Sequence, residues 1–136
     1  SQLNKLPSFI KARKNNFKKL YNEFEKYEDL FSLPKSPRKS EPCWFAFPLT
    51  VKKSAPFKRE KIMHYFIKHN IEIKSVFAGN IIKQPAFSNI KFRIAKSLIN
   101  SDHIMNNTFF LGVYPGLLEE QISFVIDTMK RFIREL

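Results

Sequence analysis

The chain has 136 residues, 43% of them hydrophobic, which is enough for one domain with its own core. Its 24 lysines and arginines outnumber its 12 aspartates and glutamates, and the formal net charge of +12 favours partners that carry phosphates or other anions. The single cysteine excludes an internal disulfide framework and a cysteine metal cluster made by this chain alone, and it fits a reducing cytoplasm.

The first 42 residues are predicted to form a long helix and a loop. Apolar residues recur at helical spacing from about Leu6 to Tyr27, and Pro7 is compatible with the first turn. Residues 33–42 contain three prolines, a composition that sustains neither a helix nor a central strand. The chain begins Ser-Gln-Leu rather than with an initiator methionine, so we expect an excised piece of a longer protein. It has no signal-peptide core and no apolar run long enough to span a bilayer.

The remaining residues, 43–136, are predicted to form an α+β domain. Residues 43–51 are rich in aromatic and β-branched side chains and favour a strand, at a sheet edge or bulged at Pro48 because proline lacks a backbone donor. The further predicted elements are a helix over 57–69, a strand over 71–77, a short helix over 93–99, a strand over 108–113 and a C-terminal helix from about Leu118. Together they predict two layers, with helices on one face of a sheet of about three strands.

Familiar catalytic motifs are absent: there is no P-loop, dinucleotide fingerprint, paired-histidine metal motif or nucleophile elbow. His64, His69 and His103 lack a regular spacing with acids, which favours helix-flanking or solvated histidines over metal ligands. Cys43 lies in the predicted strand, where an inert buried thiol is expected. The lysine-rich first helix could grip a phosphate backbone, but cations interleaved along a helix are more typical of a solvated surface, so nucleic-acid binding is disfavoured.

Two stretches differ from ordinary core sequence. The turn Ala78-Gly79-Asn80 follows a predicted strand directly, and residues 105–116 place amide side chains before a strand and a tight turn after it. Both could display polar groups at one edge of the sheet. The alternative for the first stretch is a turn that needs a positive backbone dihedral, which glycine and asparagine adopt readily. Spacing alone leaves both interpretations open.

Several segments resemble the DegT/DnrJ/EryC1/StrS family of sugar aminotransferases and dehydratases. PCWFAFPLTVK, HNIEIKSVFAGNIIKQPAF and SDHIMNNTFFLGVYPGLLEEQISFVI are similar to its C-terminal part. The opening QLNKLPSFIKARKNNFKKLY is similar to the long helix that leaves the family's large cofactor domain. Within the family the sequence most resembles the CDP-4-keto-6-deoxyglucose 3-dehydrases of lipopolysaccharide biosynthesis, and the similarity covers nearly the whole chain.

The resemblance implies the small domain of a fold-type I enzyme, with a mainly antiparallel sheet. Residues 1–42 would be the linking helix and loop and residues 43–136 the small domain, while the large domain that binds pyridoxal or pyridoxamine phosphate would lie outside this chain. The full enzyme, a homodimer, would remove the C3 hydroxyl of a nucleotide-linked 4-keto-6-deoxyhexose, or alternatively transfer an amino group to a sugar. This chain alone would bind no cofactor and catalyse nothing.

The resemblance also implies that the FAGN loop faces the active-site cleft. A glycine allows close approach of the backbone to a ligand, an asparagine can pair with sugar hydroxyls, and a lysine offers a point charge. Relatives commonly carry arginine where this chain has Lys74 and Lys83, and lysine lacks the two-pronged grip of arginine, which bears on substrate identity. No catalytic residue or metal ligand is expected here. The candidate substrate-binding residues are Phe77, Gly79, Asn80, Lys83, Gln84, Lys74, Asn106 and Tyr114.

Two rival interpretations come from other functional classes. In one, the chain is a stand-alone binding module whose basic helix recruits nucleic acid or an acidic partner. In the other, it is a remnant that docks on a separate cofactor-domain chain, which predicts an exposed apolar patch on the first helix or at the sheet edge.

Overall fold

The computed structural model describes residues 2–136, which form a four-stranded antiparallel sheet with four α-helices. The strand order is β1-β2-β4-β3. The α+β prediction is confirmed, and the strand beyond the expected three is a two-residue β1 just before the proline-rich loop. No helix in the described part is long and apolar enough to cross a membrane. The strands are β1 Phe31–Ser32, β2 Ala46–Val51, β3 Ile73–Ser75 and β4 Thr108–Gly112; the helices are α1 Leu6–Phe24, α2 Arg59–Lys68, α3 Ile99–Asn107 and α4 Glu119–Arg134.

The hydrophobic core lies between one face of the sheet and three helices. Side chains alternate between the two faces of a strand, so every second residue of β2 and β4 points into the core. Helices α1, α2 and α4 supply the other half of the core. An edge-to-face pair joins α1 to β2, with the ring centroids of Phe24 and Phe47 5.4 Å apart. A second pair joins the segment before α2 to α4, with the centroids of Phe57 and Phe132 4.9 Å apart. The fully buried core side chains include Leu20, Phe24, Phe47, Leu49, Ile62, Phe66, Phe109, Leu111, Ile122, Met129 and Phe132.

Helix α1 belongs to this core and is tied to α4 and to the end of β4. Its length agrees with the prediction, since a 3-10 turn over Glu25–Tyr27 continues it. Glu23 accepts from Lys26 at 2.9 Å and from Lys130 of α4 at 3.0 Å. Burial alone would raise the pKa of Glu23, but the hydrogen bonds and positive charges of the two lysines together outweigh it and leave the pKa below its ordinary value. Buried Asn16 donates to the backbone oxygen of Tyr114 at 3.0 Å.

The predicted short helix over 93–99 is wrong. Residues 91–97 have no helix or strand, and α3 begins at Ile99 and runs through the amides that precede β4. The reason is the pattern of the earlier segment: Ile90, Phe92 and Ile94 alternate with polar residues at a period of two, which forms no helical stripe. In α3, Asp102 stands in the first turn, where an acid suits the helix dipole.

Two details around β2 also differ from expectation. The strand begins at Ala46, so Cys43 precedes it and is exposed rather than buried. β2 is not an edge strand, because it lies between β1 and β4. Pro48 is nevertheless accommodated: β1 pairs only with Thr50 and Val51, so at Pro48 only β4 is hydrogen-bonded to β2.

Candidate functional site

The sheet face opposite α1, α2 and α4 is apolar and largely uncovered. Its central side chain is Phe110 of β4, whose ring contacts Phe45 edge-on at a centroid distance of 6.4 Å and Phe77 at 5.7 Å. Phe45 is 70% exposed and Phe77 is 83% exposed. Lys74 of β3 is the register partner of Phe110, and Ile104 of α3 borders a shallow depression of about 340 Å³ on this face. We call the surface formed by Phe45, Pro48, Lys74, Phe77, Ile104 and Phe110 the open face.

The loop that follows β3 turns sharply beside the open face. The amide of Phe77 donates to Ser75 at 2.9 Å and that of Gly79 to Val76 at 2.8 Å. Both donors have positive φ angles, 34° for Phe77 and 59° for Gly79. A Cβ on Gly79 would lie 2.4 Å from Cγ of Met105 in α3. Glycine is therefore required here for its dihedral and for close packing, as the turn interpretation holds, while the strained Phe77 projects into solvent.

A single carboxylate fastens the next part of the loop to α3. Asp102 accepts from Nδ2 of Asn80 at 2.7 Å through Oδ1 and from Nζ of Lys83 at 2.8 Å through Oδ2. The hydrogen bonds from Lys83 and Asn80 hold the pKa of Asp102 below its usual range. Asn80 is 4% exposed, whereas Lys83 remains half exposed. Gln84 donates back to the backbone oxygen of Ala78 at 2.6 Å and closes the loop.

Arg59 of α2 anchors the other end of α3. Its Nη1 donates to the backbone oxygen of Met105 at 2.6 Å, and its Nη2 lies 3.1 Å from Glu60. A cation at the carboxyl end of α3 also suits the helix dipole. Sequence reasoning missed both Asp102 and Arg59, because each lies 19 or more positions from its partner in the loop or in α3 and belongs to no motif.

Apart from Lys74, which lies within β3 itself, the predicted site residues fall into two groups at opposite ends of the β3–β4 pair. Phe77, Gly79, Asn80, Lys83 and Gln84 lie together where β3 ends, and the exposed Asn106 lies on the adjoining helix α3. Tyr114 follows the far end of β4 and does not join the loop, because antiparallel strands place their carboxyl ends apart.

The far end of the β3–β4 pair carries a second concavity. It is an open groove of about 620 Å³ whose lining includes Arg13, Lys74, Phe110, Tyr114 and Glu120. Lys74 and Phe110 belong to the open face as well, so the groove is continuous with it. The ammonium group of Lys74 lies 2.7 Å from a carboxylate oxygen of Glu72.

The three histidines bond within their own helices. Nδ1 of His64 lies 3.2 Å from the backbone oxygen of Glu60, and Nδ1 of His69 lies 2.8 Å from that of Tyr65. His103 contacts Asn107, four residues further along α3. Among residues 2–136 no three acids, histidines or cysteines come together as metal ligands could.

Comparison with known proteins matches nearly the whole chain to a part of several longer proteins. It is 36% identical over 132 residues to the lipopolysaccharide biosynthesis protein RfbH of Salmonella typhimurium, covering 97% of this chain and 30% of that protein. It is 35% identical over 133 residues to dTDP-4-dehydro-2,6-dideoxy-D-glucose 3-dehydratase of Saccharopolyspora spinosa, covering 98% of this chain and 29% of that protein. The chain thus spans less than a third of the length of these relatives.

The same α+β fold occurs within longer solved structures of fold-type I pyridoxal phosphate enzymes. The solved structure of E. coli GDP-4-keto-6-deoxy-D-mannose-3-dehydratase with bound hydrated PLP matches with a TM-score of 0.83 at 22% identity, over 93% of this chain and 32% of that chain. The sequence profile of the DegT/DnrJ/EryC1/StrS aminotransferase family matches residues 1–130. This chain belongs to the DegT/DnrJ/EryC1/StrS aminotransferase family.

Proposed function

We propose that this chain is the substrate-side, carboxyl-terminal domain of a pyridoxamine-phosphate-dependent nucleotide-sugar 3-dehydratase. The full-length enzyme would act on a nucleotide-linked 4-keto-6-deoxyhexose in the cytoplasm, in lipopolysaccharide or O-antigen biosynthesis. The observation that carries the proposal is the open face, an aromatic surface that includes Lys74 and that α1, α2 and α4 leave uncovered. The chain that forms it matches 3-dehydratases over nearly its whole length.

The chemistry of the open face suits a nucleotide sugar. Phe45 and Phe77 offer flat apolar surfaces to a nucleobase or to the methyl group of a 6-deoxysugar, since both rings are exposed and held against Phe110. Lys83 keeps hydrogen-bond donors for a phosphate or keto oxygen, because an ammonium group has three and Asp102 accepts one. The net charge of +12 favours the approach of an anionic diphosphate.

We propose that the cofactor is held by residues outside this chain. Pyridoxal phosphate needs several donors that converge on its phosphate, whereas Lys74 and Lys83 lie on separate elements, one in β3 and the other in the 3-10 turn Ile81–Lys83. When bound in the large domain, the cofactor supplies the electron sink for loss of the C3 hydroxyl. This chain would bind and orient the sugar nucleotide and exclude water. We expect a homodimer in the full-length enzyme and no nucleic-acid partner.

A sugar aminotransferase is the second candidate, because the matching family is described as one of aminotransferases. The same open face would then bind a nucleotide-linked keto sugar, and only the outcome at the sugar would differ. Residues that decide between the two outcomes would lie in the large domain.

The test is turnover by the full-length enzyme of a panel of CDP-, GDP- and dTDP-linked 4-keto-6-deoxyhexoses with pyridoxamine phosphate. We expect a product that lacks the C3 oxygen, detected by mass spectrometry. A product carrying a new amino group would favour the aminotransferase, and no product from any of the nucleotides would overturn the proposal. The 136-residue chain alone should give no turnover.

A further inference from the structure

One carboxylate holds both ends of the turn that carries Lys83. Residues Ile81–Lys83 form a 3-10 turn, in which the amide of Lys83 donates to the backbone oxygen of Asn80 at 3.0 Å. Asp102 receives the side chain of Asn80 on one oxygen at 2.7 Å and that of Lys83 on the other at 2.8 Å. The turn can therefore move away from α3 only if both charge-assisted hydrogen bonds break.

A hydrogen bond from Arg59 of α2 holds helix α3 in place, so contacts with α3 can fix the position of the loop. Asp102 and Met105 are three residues apart and lie on neighbouring positions of one helix face. Met105 packs against Gly79 so closely that no Cβ fits between them, and its backbone oxygen is held by Arg59 of α2 at 2.6 Å. The loop thus rests on an apolar contact at Met105 and an ionic contact at Asp102.

This arrangement gives Asn80 and Lys83 different roles. The amide nitrogen of Asn80 is committed to Asp102 and the residue is 4% exposed, so that nitrogen serves the loop rather than a ligand. The side chain of Lys83 is 52% exposed. A free lysine samples many rotamers, whereas one bonded to Asp102 has its remaining donors in a fixed place.

We infer that Asp102 is a positioning residue for the substrate site: by holding Asn80 and Lys83 against α3, it sets where the Lys83 ammonium group meets an anionic oxygen of the sugar nucleotide. The inference rests on the proposed function and adds to it a residue that acts through Lys83 without touching the substrate. Because Asp102 and Lys83 together carry no net charge, the pair exerts little long-range attraction on a ligand. The inference therefore predicts that the position of the Lys83 ammonium group selects which acceptor atom of the ligand is bound.

The test uses the full-length enzyme with Asp102→Asn, and Asp127→Asn, an exposed acid on α4, as the matched control. Calorimetry with the nucleotide sugar and steady-state kinetics give Kd, KM and kcat. We expect Asp102→Asn to raise Kd and KM roughly 10-fold and to change kcat less than about 3-fold. This pattern is expected when a variant loses an interaction that is equally strong in the bound substrate and in the transition state. Asp102→Glu, which keeps a carboxylate, should recover part of the loss, and the control should match the wild type.

A double-mutant cycle separates positioning from a merely structural role. If Asp102 acts through Lys83, the double variant Asp102→Asn/Lys83→Met should bind no more weakly than Lys83→Met alone, because both changes remove one interaction. The inference would be overturned if the loss of binding free energy in the double variant equalled the sum of the two single losses. An unchanged Kd in Asp102→Asn would also overturn it.

Hydrogen exchange of the peptide 77–87 gives a readout that does not depend on turnover. We expect faster exchange in Asp102→Asn than in Asp127→Asn, and equal rates would overturn the inference. A wild-type enzyme that binds nucleotide sugar without dehydrating it would refute the proposed reaction, while the binding and exchange results would still decide the role of Asp102.

Discussion

The two faces of the sheet are made by the same strands but differ in how far the helices bury their side chains. Phe109 and Phe110 are neighbours on β4, yet Phe109 is fully buried beneath the helices while Phe110 lies on the open face between two exposed aromatic rings. The helix-covered face is closed by the domain itself. The open face keeps aromatic side chains that the domain's own core does not use, which is typical of a surface that meets a ligand or another domain.

The largest expected effect on stability is the difference between alanine substitutions at these two neighbours. Phe109→Ala should lower the free energy of unfolding by about 3–5 kcal/mol, since it opens a cavity in the core, whereas Phe110→Ala should cost roughly 1 kcal/mol. Urea denaturation of the chain measures both. Equal losses would contradict the distinction between the faces.

The second-largest loss of stability is expected for Gly79→Ala, in the loop beside the open face. We expect a loss of about 2 kcal/mol, because alanine disfavours the positive φ and its Cβ would overlap the side chain of Met105. The matched control is Gly112→Ala at the end of β4, where the nearest atom to an added Cβ is 3.8 Å away, in Tyr114. The same denaturation experiment should show little change for the control, and a tolerated Gly79→Ala would refute the close packing.

A smaller effect on the helix-covered side depends on pH. The pKa of Glu23 is lowered in the folded state despite partial burial, because Lys26 and Lys130 donate to the carboxylate. Its stabilisation of about 1 kcal/mol is therefore present above the ordinary glutamate pKa and is lost as the pH falls through the lowered value. Stability measured from pH 7 to pH 3 should fall less in Glu23→Gln than in the wild type. The exposed Glu25→Gln serves as the control, and parallel profiles would show that the junction of α1 and α4 does not need this ion pair.

The smallest effect on stability, and of opposite sign, is expected for Phe77→Gly. Glycine relieves the positive φ, and the exposed ring buries little surface, so we expect unchanged stability or a gain of up to about 1 kcal/mol. In the full-length enzyme the same change should weaken nucleotide-sugar binding, because it removes an aromatic surface. A variant that is both less stable and equally tight in binding would assign Phe77 to folding rather than to the site.

Periodicity and composition decided which elements could be predicted from the sequence. Helices α1, α2 and α4 follow a clear period of 3.6, and the segment of β2 is rich in aromatic and β-branched residues. The two-residue β1 is too short to carry a pattern, and α3 has few apolar residues and no buried one, so its position depends on contacts with Arg59 and the loop.

The loop of the candidate site could be found from the sequence, but its surroundings could not. Gly79 and Asn80 stand out in a chain with 3 glycines, and family resemblance singled them out. The roles of Asp102, Phe45 and Phe110 arise only when distant segments meet across the sheet. Alternation of side chains predicts two faces for a strand, but not which face the helices leave uncovered.

The central claim, that the open face is the substrate side, is tested most directly by hydrogen exchange of the full-length enzyme with and without its nucleotide sugar. We predict slower exchange on binding in residues 43–47 and 74–87, which border the open face, and no change in α2 on the helix-covered side. Protection confined to α2, or no protection anywhere in residues 2–136 when the sugar nucleotide is bound, would contradict the claim.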